Sequence, residues 1–196
     1  MIVAGVLVGG VSARFGVNKL LYPLKGKPLI LHVLDRLSLC KAISKAVLVG
    51  CTQTLNLYSW IGVDAIADNL CIGPLGAVYS ALKIISEVLI VGGDMPGITC
   101  GYVEDLIRLC RGYRYACIPA WSSGYMEPLA AIYNKEVLPA LEYGIAVGEH
   151  SIQKLIKLVR VPVKLIDIEK HLAKHTNAFL NINTLKDIRI LSEAIP

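Results

Sequence analysis

At 196 residues, with 55% hydrophobic and 18% charged residues, the chain can bury a sizeable core and falls in the size range of one domain, residues 1–196. Its longest uncharged run, residues 46–63, contains Gln53 and Asn56, and no basic segment precedes the apolar start, so neither a membrane span nor a secretory leader is predicted. The net charge of +5 and pI of about 8.9 favour anionic ligands, while the Lys and Arg residues are scattered and no basic run alternates with aromatics, so nucleic acid is not the expected partner.

In chain order, residues 2–8 are apolar and partly β-branched, as in a buried strand, and Gly9 and Gly10 end it. A glycine pair permits unusual backbone angles and close approach of N–H groups to a ligand. Arg14 and Lys19 follow in the same loop. Gly16 stands three residues before Lys19 with no Ser or Thr after it, which excludes a Walker loop. GGVSARFG lacks the GxGxxG spacing of a dinucleotide loop. Taken alone, this segment is either an ordinary strand-to-helix connection or an open anion-binding loop. The next helix is predicted from about residue 27, with proline in its first turn and Leu29, Ile30, Val33, Leu34 and Leu37 at helical spacing.

Residues 46–49 and 63–67 read as the second and third strands, with a loop or short helix around Trp60 between them. Gly73-Pro74 opens a helix carrying Leu75, Val78, Leu82 and Ile85 on one face. Residues 87–91 form a strand ending in GGDMPGI, and Thr99 caps a helix that runs to about Cys110. Residues 115–119 and EPLAAIY read as strands, with Asn134 a candidate cap for the helix that follows. Residues 151–158 are helical by spacing, 161–168 extended, and FLNINT precedes a last helix at about 185–193. Strands alternating with helices give an α/β fold with a mainly parallel sheet covered on both faces, whose ligands sit beyond the carboxyl ends of the strands. The loops after residues 8, 67 and 91 lie at such ends.

The six cysteines, Cys40, Cys51, Cys71, Cys100, Cys110 and Cys117, form no CxxC pair, and the four histidines form no HExxH cluster, so no zinc site is predicted. In a cytosolic chain they are expected as buried small hydrophobic residues rather than disulfides.

LVGGVSARFGVNK followed by PLKGKPLILHVL resembles the signature of nucleotidyltransferases that fold like sugar-nucleotide pyrophosphorylases, most nearly the molybdenum cofactor guanylyltransferase family. GPLG, GDMP and FLNINT occur in that family's order, and the resemblance spans nearly the whole chain. It implies a single three-layer Rossmann-like domain with a mainly parallel mixed sheet, the nucleotide-diphosphosugar transferase fold. It implies guanylyl transfer from GTP to molybdopterin in the cytoplasm, with Mg²⁺ as cofactor and cofactor-insertion proteins as further partners. Leu7, Val8, Gly9, Gly10, Lys19, Asp68 and Asp94 would contact GTP, with Arg14 and Lys19 neutralising the triphosphate and Asp94 holding the metal. Where the family pattern reads LAGG and Asp-Lys, this chain has Val8 and Asn18, and Thr52 stands where an Asn touches the base.

Residue by residue, local alternatives remain beside those roles. Asp94 follows two glycines that keep space open beside its carboxylate, as a magnesium site with substrate phosphates needs, or it caps a turn. Asp68 either closes a strand or accepts the N1–H and N2–H₂ of guanine. Asn181 and Asn183 alternate and share one face, reaching an acceptor or capping the last helix. Glu127 lines the acceptor pocket by resemblance, or is a solvated edge residue. There is no Ser–His–Asp or Cys–His set. An acceptor that is already a phosphate monoester needs positioning, cations and a metal rather than a protein nucleophile. The same parts would serve cytidylyl transfer to molybdopterin, guanylyl transfer to a cobinamide or phospholactate, or nucleotide binding without turnover.

Overall fold

The computed structural model describes residues 1–9, 18–182 and 187. Among these, β1 (Ile2–Leu7), a small antiparallel hairpin of β2 (Pro23–Leu24) and β3 (Lys27–Pro28), α1 (Leu29–Ser38), β4 (Ile43–Gly50), α2 (Thr52–Leu55), β5 (Ala65–Ala67) and α3 (Pro74–Leu82) form the first half. β6 (Glu87–Gly92), α4 (Cys100–Cys110), β7 (Ala116–Ala120), β8 (Ala130–Asn134), α5 (Leu138–Ala146), α6 (Ile152–Val159), β9 (Val163–Asp167) and α7 (Ile168–His171) complete it. Short 3-10 segments occupy Lys19–Leu21, Asn56–Ile61, Lys135–Val137 and Ala173–Phe179.

Seven strands form one sheet in the order β5-β4-β1-β6-β8-β7-β9. β1 pairs in parallel with β4 and β6, and β4 with β5. β8 runs against both its neighbours, β6 and β7, and β7 pairs in parallel with β9. This is the mainly parallel mixed sheet the sequence predicts. The period-2 alternation of each strand divides the core into two layers. Ala4 and Val6 of β1, Leu89 and Val91 of β6, and Ile132 of β8 pack with α1 and α4. Leu7, Val88, Ile90 and Tyr133 pack with α3, α5 and α6. Each large side chain so buried stabilises the fold by about 1.5–3 kcal/mol before entropy is counted. With both faces covered, the strands are apolar on both sides, which explains the high hydrophobic fraction without any helix long and apolar enough to cross a membrane among the described residues.

Several local expectations need correction. The six cysteines are paired, not free: Cys40–Cys100, Cys51–Cys71 and Cys110–Cys117, with Cα–Cα distances of 4.9, 5.4 and 5.9 Å. Each pair joins the end of one element to the start of a spatial neighbour, which spacings of 60, 20 and 7 residues do not reveal. Asn134 does not cap a helix, because its side-chain amide donates to Tyr113 O instead. The strand within EPLAAIY begins only at Ala130, and β5 begins at Ala65 rather than at 63. Thr99 does cap α4, accepting from Tyr102 N, and Ser151, expected inside the helix at 151–158, is instead the cap of α6, accepting from Lys154 N. The last helix predicted at 185–193 lies, apart from Asp187, outside the described residues.

Candidate functional site

The carboxyl ends of β1, β4, β5 and β6 converge, and a cavity of about 940 Å³ opens there, within the range of a ligand site. Leu7 and Gly9 line it from β1, Gly50 and Cys51 from β4, Asp68 after β5, and Asp94 after β6. Among the described residues, none has an atom within 4 Å of a Cβ built on Gly9. Val8 is different. It is fully buried in the core, and its N–H donates to Val49 O, so its side chain is turned from the cavity. Gly10 and Arg14 lie outside the described residues.

Lys19 is held from two sides. Its ammonium donates to Asp94 Oδ2 at 2.5 Å and to Ile182 O at 3.1 Å. Asn18 accepts from Leu20 N at 3.1 Å and from the Tyr58 hydroxyl at 3.0 Å, which fixes the 3-10 turn that carries Lys19. Thus the position where the family has Asp serves here as a cap. Burial pushes the Tyr58 phenol up, an effect its bond to Asn18 opposes. Sequence reasoning missed Tyr58, which lies 40 residues from its partner.

The glycines around Asp94 have a steric reason. A Cβ on Gly92 would lie 2.7 Å from Asp94 Oδ1, and one on Gly93 2.9 Å from Leu7 O. Substitution at either position would push the carboxylate or the strand end aside. Asp94 O accepts from Ile182 N at 3.1 Å, so the FLNINT segment is strapped to the same loop.

Asp68 is 2% exposed. Its Oδ1 accepts from Leu70 N at 3.0 Å and from the Ser80 hydroxyl at 3.2 Å. Gly76, one turn before Ser80 on α3, lets the helix approach, since a Cβ there would lie 3.0 Å from Asp68 Oδ2. Oδ1 therefore shapes the turn, the first of the two sequence alternatives, and the residue lines the cavity. In the sequence, the i, i+4 pair Gly76 and Ser80 is the signal of this packing.

A second cavity, about 750 Å³, adjoins the first, with Pro74 and Leu129 lining both. Asn181 lines it, together with Glu127, Tyr125, Gln153, Lys154 and Lys157. Ile182 is buried beside Asn181, while Asn183 lies outside the described residues. Glu127 is not a solvated edge residue. It is 9% exposed, and Trp121 Nε1 donates to its Oε1 at 2.8 Å. Burial raises its carboxyl above the usual range, and the Trp121 bond opposes the rise.

For a metal, the donor set is one carboxylate in a cavity that Lys19 also lines. That suits a hard divalent cation whose remaining ligands are phosphates and water. Among the described residues the one cluster of three candidate ligands is Cys40, Cys100 and Glu104, and its sulfurs are tied up in the disulfide.

Two adjoining cavities at the carboxyl edge of a mainly parallel sheet, the larger lined by a lysine–carboxylate pair, fit an α/β protein of the nucleotidyltransferase type. A family model described as a MobA-like NTP transferase domain matches residues 4–165, and the chain belongs to that family. A Pyrococcus horikoshii protein named probable molybdenum cofactor guanylyltransferase is 39% identical over 97% of this chain and 99% of its own length. A Pseudomonas entomophila molybdenum cofactor guanylyltransferase is 30% identical over 83% of this chain and 85% of its own. The crystal structure of molybdopterin-guanine dinucleotide biosynthesis protein A from Archaeoglobus fulgidus superposes with a TM-score of 0.84 at 28% identity, covering 98% of both chains.

Proposed function

We propose that this chain, read as one nucleotidyltransferase unit over residues 1–196, transfers GMP from GTP to the terminal phosphate of molybdopterin, releasing pyrophosphate. The observation that carries the reading is the junction of the two cavities. Asp94 lines the nucleotide side and its neighbour Met95 the acceptor side, while Lys19 donates to Ile182 O, next to acceptor-side Asn181. A reaction joining two bound phosphates needs such a meeting point. The relatives' names supply the identity of the two substrates.

In the reaction an oxygen of the acceptor phosphate bonds to the α-phosphorus of GTP. The bond from that phosphorus to the bridging oxygen breaks, and pyrophosphate leaves with the electron pair. The attacking oxygen is already anionic, so no protein base is required. Lys19 exchanges its Asp94 contact for the triphosphate, and Arg14 shares that charge. Both cations count for more as charge moves to the leaving group than in the ground state. Asp94 is the residue that would hold Mg²⁺, and the ion when bound neutralises phosphate oxygens during the transfer. Asp68 reads guanine through its remaining oxygen, and Asn181 and Asn183 position the acceptor. The three disulfides are compatible with a cytoplasmic location, because intracellular proteins of hyperthermophiles are disulfide-rich and close relatives come from Pyrococcus and Thermococcus.

Pyrophosphate release with each of four nucleoside triphosphates, with and without molybdopterin, tests the reading. Release is expected only with GTP and acceptor together. Equal release with CTP, or release independent of the acceptor, overturns it.

A further inference from the structure

Among the described residues, two acidic side chains are buried, Asp68 and Glu127, and each lines a different one of the two cavities. Asp68 faces the site read as taking guanine. Glu127 has no cation within ion-pair distance among the described residues, and its one side-chain hydrogen bond comes from Trp121 to Oε1. A buried carboxylate without a cation is costly unless donors reach its lone pairs. Its position is nonetheless firmly set. Glu127 N donates to Pro119 O, and the Trp121 indole that orients Oε1 packs edge-to-face on Phe179, with ring centroids 5.7 Å apart. A side chain merely tolerated in the wall would not need both restraints, and they leave Oε2 for whatever fills the cavity.

The chemistry of the acceptor supplies a match. A pterin is a 2-amino-4-oxopteridine, and its pyrimidine edge presents a ring N–H beside an exocyclic NH₂, the same pair of donors that guanine offers. We propose that Glu127 is the specificity residue of the acceptor cavity, its Oε2 accepting from the amino–amide edge of the pterin ring. The inference rests on the guanylyltransferase reading only for the identity of the acceptor. In this arrangement the protein reads the same donor pattern twice, with one buried carboxylate in each cavity. The acceptor's phosphate then points from Glu127 toward the junction beside Asn181 and Asp94. A carboxylate suits this task because both donors need acceptors, and a ring carrying a carbonyl in place of the amino group would set oxygen against oxygen.

The test uses intrinsic pterin fluorescence with the phosphate ester of 6-hydroxymethylpterin as probe. The matched lumazine, which carries a carbonyl in place of the 2-amino group, serves as its partner. The wild-type protein is expected to bind the pterin at least about fivefold more tightly than the lumazine, the lower end for a paired hydrogen-bond contact. Glu127→Gln keeps an acceptor for Trp121 and places an amide donor where the lumazine carbonyl sits, so the preference should collapse or invert while GTP affinity stays unchanged. A wild-type protein that binds the two probes equally, or binds neither, overturns the proposal, and this arm needs no variant to fold. A folded Glu127→Gln protein with the wild-type ratio overturns it as well. Failure of the guanylyltransferase reading looks different: pyrophosphate release would not depend on GTP and molybdopterin, whatever the pterin-to-lumazine ratio.

Discussion

The two cavities are built in opposite ways. The nucleotide cavity is made by successive strand ends, and its key groups sit on short motifs: Gly9 after β1, Asp68 before GPLG, and Asp94 after a glycine pair. The acceptor cavity draws on the segment around Glu127 after β7, the start of α6 and the strap at Asn181, which lie far apart in the chain. The first is positioned by the sheet itself. The second depends on elements that must pack correctly on one another. Variants should therefore separate the cavities, except at the junction.

The largest effects belong to the junction. Asp94→Asn is expected to remove turnover by more than the roughly 10²–10³ that one electrostatic group supplies, because it weakens the metal site and frees Lys19 together. The fold should survive, since Lys19 keeps Ile182 O. Lys19→Ala should lower kcat by about 10²–10³. A kinetic series at saturating Mg²⁺ checks both. A Lys19→Ala enzyme with unchanged kcat and only a raised KM for GTP would show that the lysine merely binds.

Next comes Asp68→Asn, which should weaken GTP by about 1.5–3 kcal/mol and leave pterin binding untouched. The substitution can keep Oδ1 for Leu70 N and Ser80 while replacing Oδ2 with an amide donor facing the guanine donors. Calorimetry with GTP and ITP distinguishes base reading from a role confined to the turn. If only stability changes and both nucleotides bind as before, Asp68 is a turn residue and the symmetry of the two carboxylates is broken.

Smaller again in its effect on GTP is the Cys51–Cys71 bridge, whose two residues both line the nucleotide cavity and tie the end of β4 to the turn after Asp68. Replacing both by Ser should lower stability by about 2–4 kcal/mol and weaken GTP a few-fold, with no change in the pterin-to-lumazine ratio. Thermal unfolding and GTP titration of the double variant measure the two effects separately.

What was legible in the sequence follows the same division. β1, β6, α3 and α4 were read correctly because their signals are local: apolar runs, Gly73-Pro74 and a Thr99 cap. The placement of Lys19 near Asp94 followed from the rule that ligands gather at strand ends, although 75 residues separate them. The disulfides, the bond from Tyr58 to Asn18 and the burial of Glu127 were not legible, since each depends on which distant elements become neighbours. Asn18 shows the limit well. Read as a lost carboxylate, it is a cap whose hydroxyl partner lies on a turn beyond β4. Glu127 stands just after a polar turn, which reads as solvent-facing, but Trp121, itself packed on Phe179, donates to its carboxylate.

The smallest predicted effect concerns the strap that supplies Asn181 and Ile182. Asp105 of α4 pairs with Lys174 at 2.9 Å, His175 at 3.0 Å and Arg108 at 2.9 Å, and the first two lie on the 3-10 segment Ala173–Phe179 that leads into the strap. The Lys174 bond first, then those from His175 and Arg108, hold the Asp105 carboxyl well below the usual carboxylate range. A depressed folded-state value means that the unfolded chain takes up this proton more readily. The stabilisation is therefore complete above the unfolded value of about 4 and is lost as pH falls through the acid range below it. Asp105→Asn should cost no more than about 1 kcal/mol at pH 7, the scale of partly exposed ion pairs, and the difference from wild type should shrink steadily below about pH 4. Because the strap borders the acceptor cavity and also holds Lys19 through Ile182, the variant should raise KM for the acceptor more than for GTP. Urea unfolding at pH 7 and in the acid range, with KM for both substrates, reads this directly. A cost that stays constant with pH would remove Asp105 from the account, and equal changes in both KM values would show that the strap serves the two cavities alike.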